Sequence, residues 1–99
     1  MIAKKKYKCN LDFAVLPGDT LLEVLESKSI TQKDLAIRTG LTVQTISRII
    51  SGEQPISYPT ANSFEMVTGV PAKFWNNLEA NYREQIAKII EKERLIKGS

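Results

Sequence analysis

Four side chains with the hydrogen-bonding chemistry of recognition lie together in one stretch, GLTVQTISRI at residues 40–49: Gln44, Thr45, Ser47 and Arg48. Glutamine presents a donor beside an acceptor, arginine a fork of donors, and threonine a hydroxyl beside a methyl. That set matches base edges in the major groove of DNA. Gln44 can pair twice with adenine and Arg48 twice with guanine, while the methyl groups of Thr45 and Val43 suit thymine. No carboxylate interrupts the stretch, and a carboxylate there would be repelled by phosphates.

Reaction chemistry has little to work with. The chain of 99 residues contains no histidine and one cysteine, Cys9. Histidine-based acid–base catalysis and a Ser-His-Asp triad are excluded. Cys9 has no histidine to activate it, cannot close a disulfide within the chain, and leaves a zinc site without its usual ligands. The expectation is a binding protein and not an enzyme, with no metal and no cofactor. The net charge of +3 suits a polyanionic partner without demanding one. No apolar run approaches the roughly 20 residues that span a bilayer, and no apolar segment follows the lysines of MIAKKKYKCN as a secretory signal requires. A cytoplasmic protein with no membrane partner is expected.

The elements that must hold the recognition stretch read as helices. Pro17-Gly18-Asp19 opens the first, with Leu21, Leu22, Val24 and Leu25 as its apolar stripe through about Ser27. Thr31 caps the second, Asp34 sits at its third position beside the helix N-terminus, and Gly40 ends it. Thr42 caps the third, which runs to about Ser51 and stops at Gly52. After the loop EQPI, Ser57 leads into a fourth helix with Pro59 in its first turn, Ala61, Phe64 and Val67 facing the core, and Gly69 at its end. Pro71 sits in the first turn of a fifth helix that nothing interrupts before Gly98. Phe74, Trp75 and Leu78 are expected in the core. Ile86, Ile89 and Ile90, with Leu95 and Ile96 beyond, continue at helical spacing and ask for another helix, most simply a symmetry mate.

Ahead of these, YKCNLDFAV at 7–15 puts apolar residues at alternate positions, the period of a strand. A lone strand has no hydrogen-bond partner, so the segment either pairs with another chain or drapes over the helices. Lys4, Lys5, Lys6 and Lys8 make it a basic arm, either simply solvated or touching DNA phosphates.

Residues 32–51 have the pattern of a helix-turn-helix. Two helices crossing steeply need a residue as small as Ala36 at their contact, the turn needs the positive φ that Gly40 adopts, and Ile46 and Ile49 bury the third helix. Its remaining face then points outward, and the N-terminal residues of such a helix contact bases. Val43, Gln44, Thr45 and Arg48 are the expected base contacts. Gln32 and Lys33, beside the N–H groups at the start of the second helix, are expected on phosphates, with the hydroxyls of Thr42, Ser47 and Ser51. Arg38 either joins them or pairs with a surface acid.

The stretches PGDTLLEVLESKSITQKDLAIRTGLTVQTISRIISGEQPIS and GVPAKFWNNLEANYRE resemble a HigA-type antitoxin of the Xre helix-turn-helix family over roughly residues 14–90. The Pro-Gly opening and FWNNLEANY are the more specific parts. The resemblance implies a homodimeric repressor that binds a palindromic operator in double-stranded DNA and neutralises a RelE-like toxin. The same module resembles the head of longer regulators ending in a zinc-peptidase domain, and NLEANYRE is similar to that branch. The chain is thus either a short antitoxin or the DNA-binding domain of a longer regulator. One departure stands out. Where the family commonly has a basic pair in a Gly-Lys-Arg-Pro-Ile loop, this chain has Gly52-Glu53-Gln54-Pro55-Ile56, which counts against strong DNA affinity. It favours the second reading, a protein-interaction module for a toxin or peptidase partner.

The expectation is therefore an all-α, five-helix, lambda-repressor-like fold. Residues 1–16 form an arm or strand and 17–97 the helix-turn-helix domain, with the motif at about 31–52 and the last helix at about 71–97. The dimer is expected to form through Ile86, Ile89 and Ile90.

Overall fold

In a computed structural model, residues 15–98 are described and form five helices: α1 (Pro17–Ser27), α2 (Gln32–Thr39), α3 (Val43–Ser51), α4 (Tyr58–Thr68) and α5 (Ala72–Gly98). No strand occurs among the described residues. The expected strand, apart from Val15, and the lysine cluster lie outside them.

Each boundary has a local cause. Thr31 Oγ1 accepts from the Asp34 N–H at 2.9 Å, Thr42 Oγ1 from the Thr45 N–H at 3.0 Å, and Ser57 Oγ from the Thr60 N–H at 3.4 Å. Such caps satisfy N–H groups that have no partner within the helix, each stabilising by about 1 kcal/mol. Gly40 ends α2 at φ 79°, a conformation that costs a residue with a Cβ about 1–2 kcal/mol. Pro71 lies one residue before α5 and not in its first turn: its carbonyl accepts from the Phe74 N–H at 2.9 Å, and the Glu65 carboxylate takes the Ala72 N–H at 3.1 Å.

The core consists of Leu21, Leu25, Leu35, Ala36, Ile46, Ile49, Ile56, Ala61, Phe64 and Trp75, all buried. α1 and α2 pack against α3, and α4 packs against both α2 and α5. Trp75 meets Phe64 edge-on at 5.6 Å and Phe74 at 5.4 Å between ring centroids. Of the expected core residues, Val24, Val67 and Leu78 are partly buried against it, and two are exposed: Leu22, which lies on the flank of the stripe set by Leu21 and Leu25, and Phe74, which keeps 40% of its surface exposed beside Trp75. Thr68 is buried although polar, because its hydroxyl donates to the Phe64 carbonyl at 2.7 Å and accepts from the Val70 N–H at 3.1 Å.

At Gly18 the backbones of α1 and α3 lie in close approach. A Cβ placed on Gly18 would stand 2.0 Å from the carbonyl oxygen of Ile50, whereas one on Gly40 would meet nothing within 4 Å. Gly18 is needed for space, and Gly40 for its φ. In urea denaturation Gly18→Ala should lose about 3 kcal/mol or more, since backbone cannot step aside. Gly40→Ala should lose only about 1–2 kcal/mol, and equal losses would contradict this division.

Candidate nucleic-acid interface

α3 runs for nine residues with Ile46 and Ile49 turned wholly inward. At 100° per residue, fixing those two fixes every other side chain. Val43, Gln44, Ser47, Arg48 and Ser51 fall on the exposed side, two turns of polar and small groups with no acid among them. Val43 is 49% exposed, enough to offer a methyl surface. The structure thus brings most of the expected contacts onto one panel.

Three of the expected contacts, Thr42, Thr45 and Ser51, are tied internally, Thr42 giving its hydroxyl hydrogen to Thr45. Thr45 is half-buried, and its hydroxyl accepts from the Thr42 hydroxyl at 3.0 Å, which leaves its own hydrogen to donate. Ser51 donates its hydroxyl to the Arg48 carbonyl at 3.1 Å, so a phosphate contact from Ser51 competes with that bond. Gln44, Ser47 and Arg48 carry no such internal tie in their side chains among the described residues, and they form the adaptable part of the panel.

Gln32 and Lys33 are both exposed in the first turn of α2, where N–H groups lack intrahelical acceptors and favour anions. The cations divide into two groups. On α5, Arg83 pairs with Glu79, Lys88 with Glu84 and Arg94 with Glu91. Among the described residues Lys33, Arg38 and Arg48 carry no ion pair, so Arg38 does not have the surface acid expected as one alternative. Lys28 and Lys73 likewise have no ion pair among the described residues.

Ile86 and Ile89 are half-buried and Ile90 is exposed on the outer half of α5. No helix among the described residues is long and apolar enough to cross a membrane, and no group of acidic or cysteine side chains among them could hold a metal.

α3 ends at Gly52 as expected, but the contacts made by the loop beyond it have no signal in the sequence. The Arg48 carbonyl accepts from the N–H of Glu53 at 2.9 Å and of Gln54 at 3.2 Å, besides the Gly52 N–H that closes the helix. Gly52 itself lies against α5 and the entry to α1: a Cβ there would be 2.6 Å from Leu16 Cδ2 and 3.3 Å from Tyr82 Oη. Only the spacing of Glu79, Tyr82 and Arg83 along one helical face hinted at a role for that part of α5.

The sequence pattern of the helix-turn-helix family matches residues 21–75, more than half of the chain, and the protein belongs to that family. Solved structures share its fold. A Nostoc punctiforme protein described as a candidate antidote of a plasmid maintenance system superposes with a TM-score of 0.78 at 24% identity, over 85% of this chain and 92% of that one. The Pseudomonas aeruginosa antitoxin HigA, solved with the higBA promoter, gives 0.76 at 24% identity over 84% and 91%. A further P. aeruginosa structure, of a protein in complex with its 18-bp operator DNA, gives 0.70 at 28% identity over 82% and 94%. No curated protein sequence matches the chain.

Glu53 is exposed directly after α3. Replacing it by lysine removes a charge that repels phosphate and adds one that attracts it. Glu53→Lys should tighten DNA binding and steepen the dependence of log K on log salt by about one unit or more; an unchanged slope would put this loop away from the duplex.

Proposed function

We propose that the protein is a sequence-specific DNA-binding transcriptional regulator of the antitoxin type. α3 enters the major groove of a palindromic operator, represses the protein's own operon, and a RelE-like toxin is the partner it neutralises. The observation that carries the DNA reading is the acid-free panel of Val43, Gln44, Ser47 and Arg48, turned outward by burial of Ile46 and Ile49. The family membership supports it, as does the likeness, at 28% identity, to a protein solved on its operator DNA.

In this mechanism Arg48 reads guanine, Gln44 reads adenine, and Val43 with the Thr45 methyl lies against thymine. Gln32, Lys33, Thr42, Ser47 and Ser51 hold the backbone and set the register, carrying no sequence information themselves. Glu53 weakens the nonspecific attraction and leaves the base contacts a larger share of the affinity. Repression by such a protein occurs by occupancy of the promoter, so it needs no catalytic group.

Arg48→Ala should cost about 1–3 kcal/mol on the operator and relax the preference at the contacted base pair. Lys33→Ala should weaken all duplexes alike and lower the salt slope by about one. Footprinting of the promoter distinguishes them, and an Arg48→Ala protein with the parent's footprint would remove α3 from the groove. Loss of all duplex binding in the parent chain, with retained toxin binding, would instead favour a pure protein-interaction module.

One α3 reads too few base pairs for a selective repressor, and a twofold dimer doubles them at half-sites about 34 Å apart. Ile86, Ile89 and Ile90 on α5 are the seam we assign to that dimer. Ile86→Asp with Ile89→Asp would bury two unpaired charges there, at a cost of several kcal/mol. The expected product is a helical monomer with much weaker operator binding; sedimentation as a dimer would move the seam elsewhere.

A further inference from the structure

Glu79 joins two parts of the chain 23 positions apart: its Oε1 accepts the backbone N–H of Ile56 at 3.0 Å. Its Oε2 accepts from the guanidinium Nε of Arg83, one turn along α5. The carboxylate side chain is only 12% exposed. Placing a carboxylate so far from water is unfavourable unless it is paired and hydrogen-bonded, and a cationic donor with an N–H donor meets that need.

The Ile56 N–H is one end of a strap, residues 52–56, between α3 and α4. The other end is the Arg48 carbonyl, which the Glu53 and Gln54 N–H groups reach at 2.9 and 3.2 Å. The Ile56 side chain is buried in the core. At the first residue of the strap, Tyr82 stands against Gly52, with the Arg83 guanidinium 4.9 Å above its ring centroid. Three consecutive contacts therefore run from α5, through the strap, to the backbone of the residue whose side chain is assigned to guanine.

We propose that Glu79 is a positioning residue for DNA recognition: by holding the strap at Ile56 it sets the last turn of α3, and with it Arg48, at a fixed depth relative to the rest of the domain. This rests on α3 being the recognition helix. Glu79 touches no DNA in this scheme. Its effect passes through backbone geometry, since a small tilt of a nine-residue helix is largest at its ends and base pairing by a guanidinium fork tolerates little misplacement.

The test compares two neutral replacements in the full chain. Glu79→Gln keeps an oxygen acceptor for the Ile56 N–H; Glu79→Met keeps length and helix propensity but has none. Both lose the same charge, so any long-range electrostatic effect on DNA cancels between them. On a duplex of the promoter directly upstream of the protein's own reading frame, Glu79→Met should bind about tenfold more weakly than Glu79→Gln. The salt slope should be the same for both, because no phosphate contact is lost. Hydrogen exchange of the Ile56 amide should be faster in Glu79→Met than in Glu79→Gln. Glu79→Ala, which cannot overfill the site, should behave as Glu79→Met does if the latter loses helical CD. Equal affinities of the two neutral variants would overturn the proposal, as would a difference accompanied by a changed salt slope or by equal Ile56 exchange. Failure of the parent chain itself to bind the promoter would be a separate result: it would remove the recognition role of α3, and the positioning role with it.

Discussion

Burial of Ile46 and Ile49 is the constraint on which the functional face depends. A nine-residue helix does not persist alone in water, so α3 exists only because this pair, with none or almost none of its surface exposed, is held by α1 and α2. Once those two side chains are inside, the helix has no rotational freedom left. The outward direction of Gln44, Ser47 and Arg48 is a geometric consequence of core packing, not a separate interaction. A change that loosened the core would therefore blur the face before it unfolded the domain.

The same economy extends to α5, whose 27 residues reach about 40 Å at 1.5 Å per residue. Its first turns close the core through Trp75 and hold the exit of α3 through Glu79 and Tyr82. Farther along, its cations sit beside glutamates three or four residues away. Such surface pairs stabilise little, but they neutralise α5 locally. On α2, Asp34 lies four positions before Arg38, but no ion pair joins a cation of α2 or α3 to an acid among the described residues.

Local rules carried the sequence a long way. Thr31, Thr42 and Ser57 as caps, and Gly40, Gly52 and Gly69 as left-handed ends, are signals contained within one or two turns, and the five helices follow from them. The spacing of Ile46 and Ile49 likewise made the outward face of α3 legible. What escaped were contacts across distance. Nothing in the periodicity of α1 says that Gly18 must admit the carbonyl of Ile50, and nothing near Glu79 says that its acceptor serves a residue in another loop. Leu22 and Phe74 misled for a related reason: an apolar residue beside a buried one looks like core until the direction of the neighbouring helix is known. The Pro71 boundary differed by one residue because a proline just before a helix and one just inside it leave the same mark on the sequence.

Trp75 is the chain's single tryptophan, and it is fully enclosed between α4 and α5 with aromatic edges on two sides. Its indole N–H has no hydrogen-bond partner among the described residues, so the ring sits in an apolar, weakly solvated setting. Excitation at the red edge of the aromatic band, where the three tyrosines do not absorb, consequently interrogates the junction of the last two helices. Emission at the blue end of the tryptophan range is the optical signature of a closed junction, and a red shift marks water reaching the indole. Because that fluorophore shares one core with Ile46 and Ile49 of α3, its emission reports whether the packing that orients α3 is intact, while a label on the outer face of α3 reports what happens at that face.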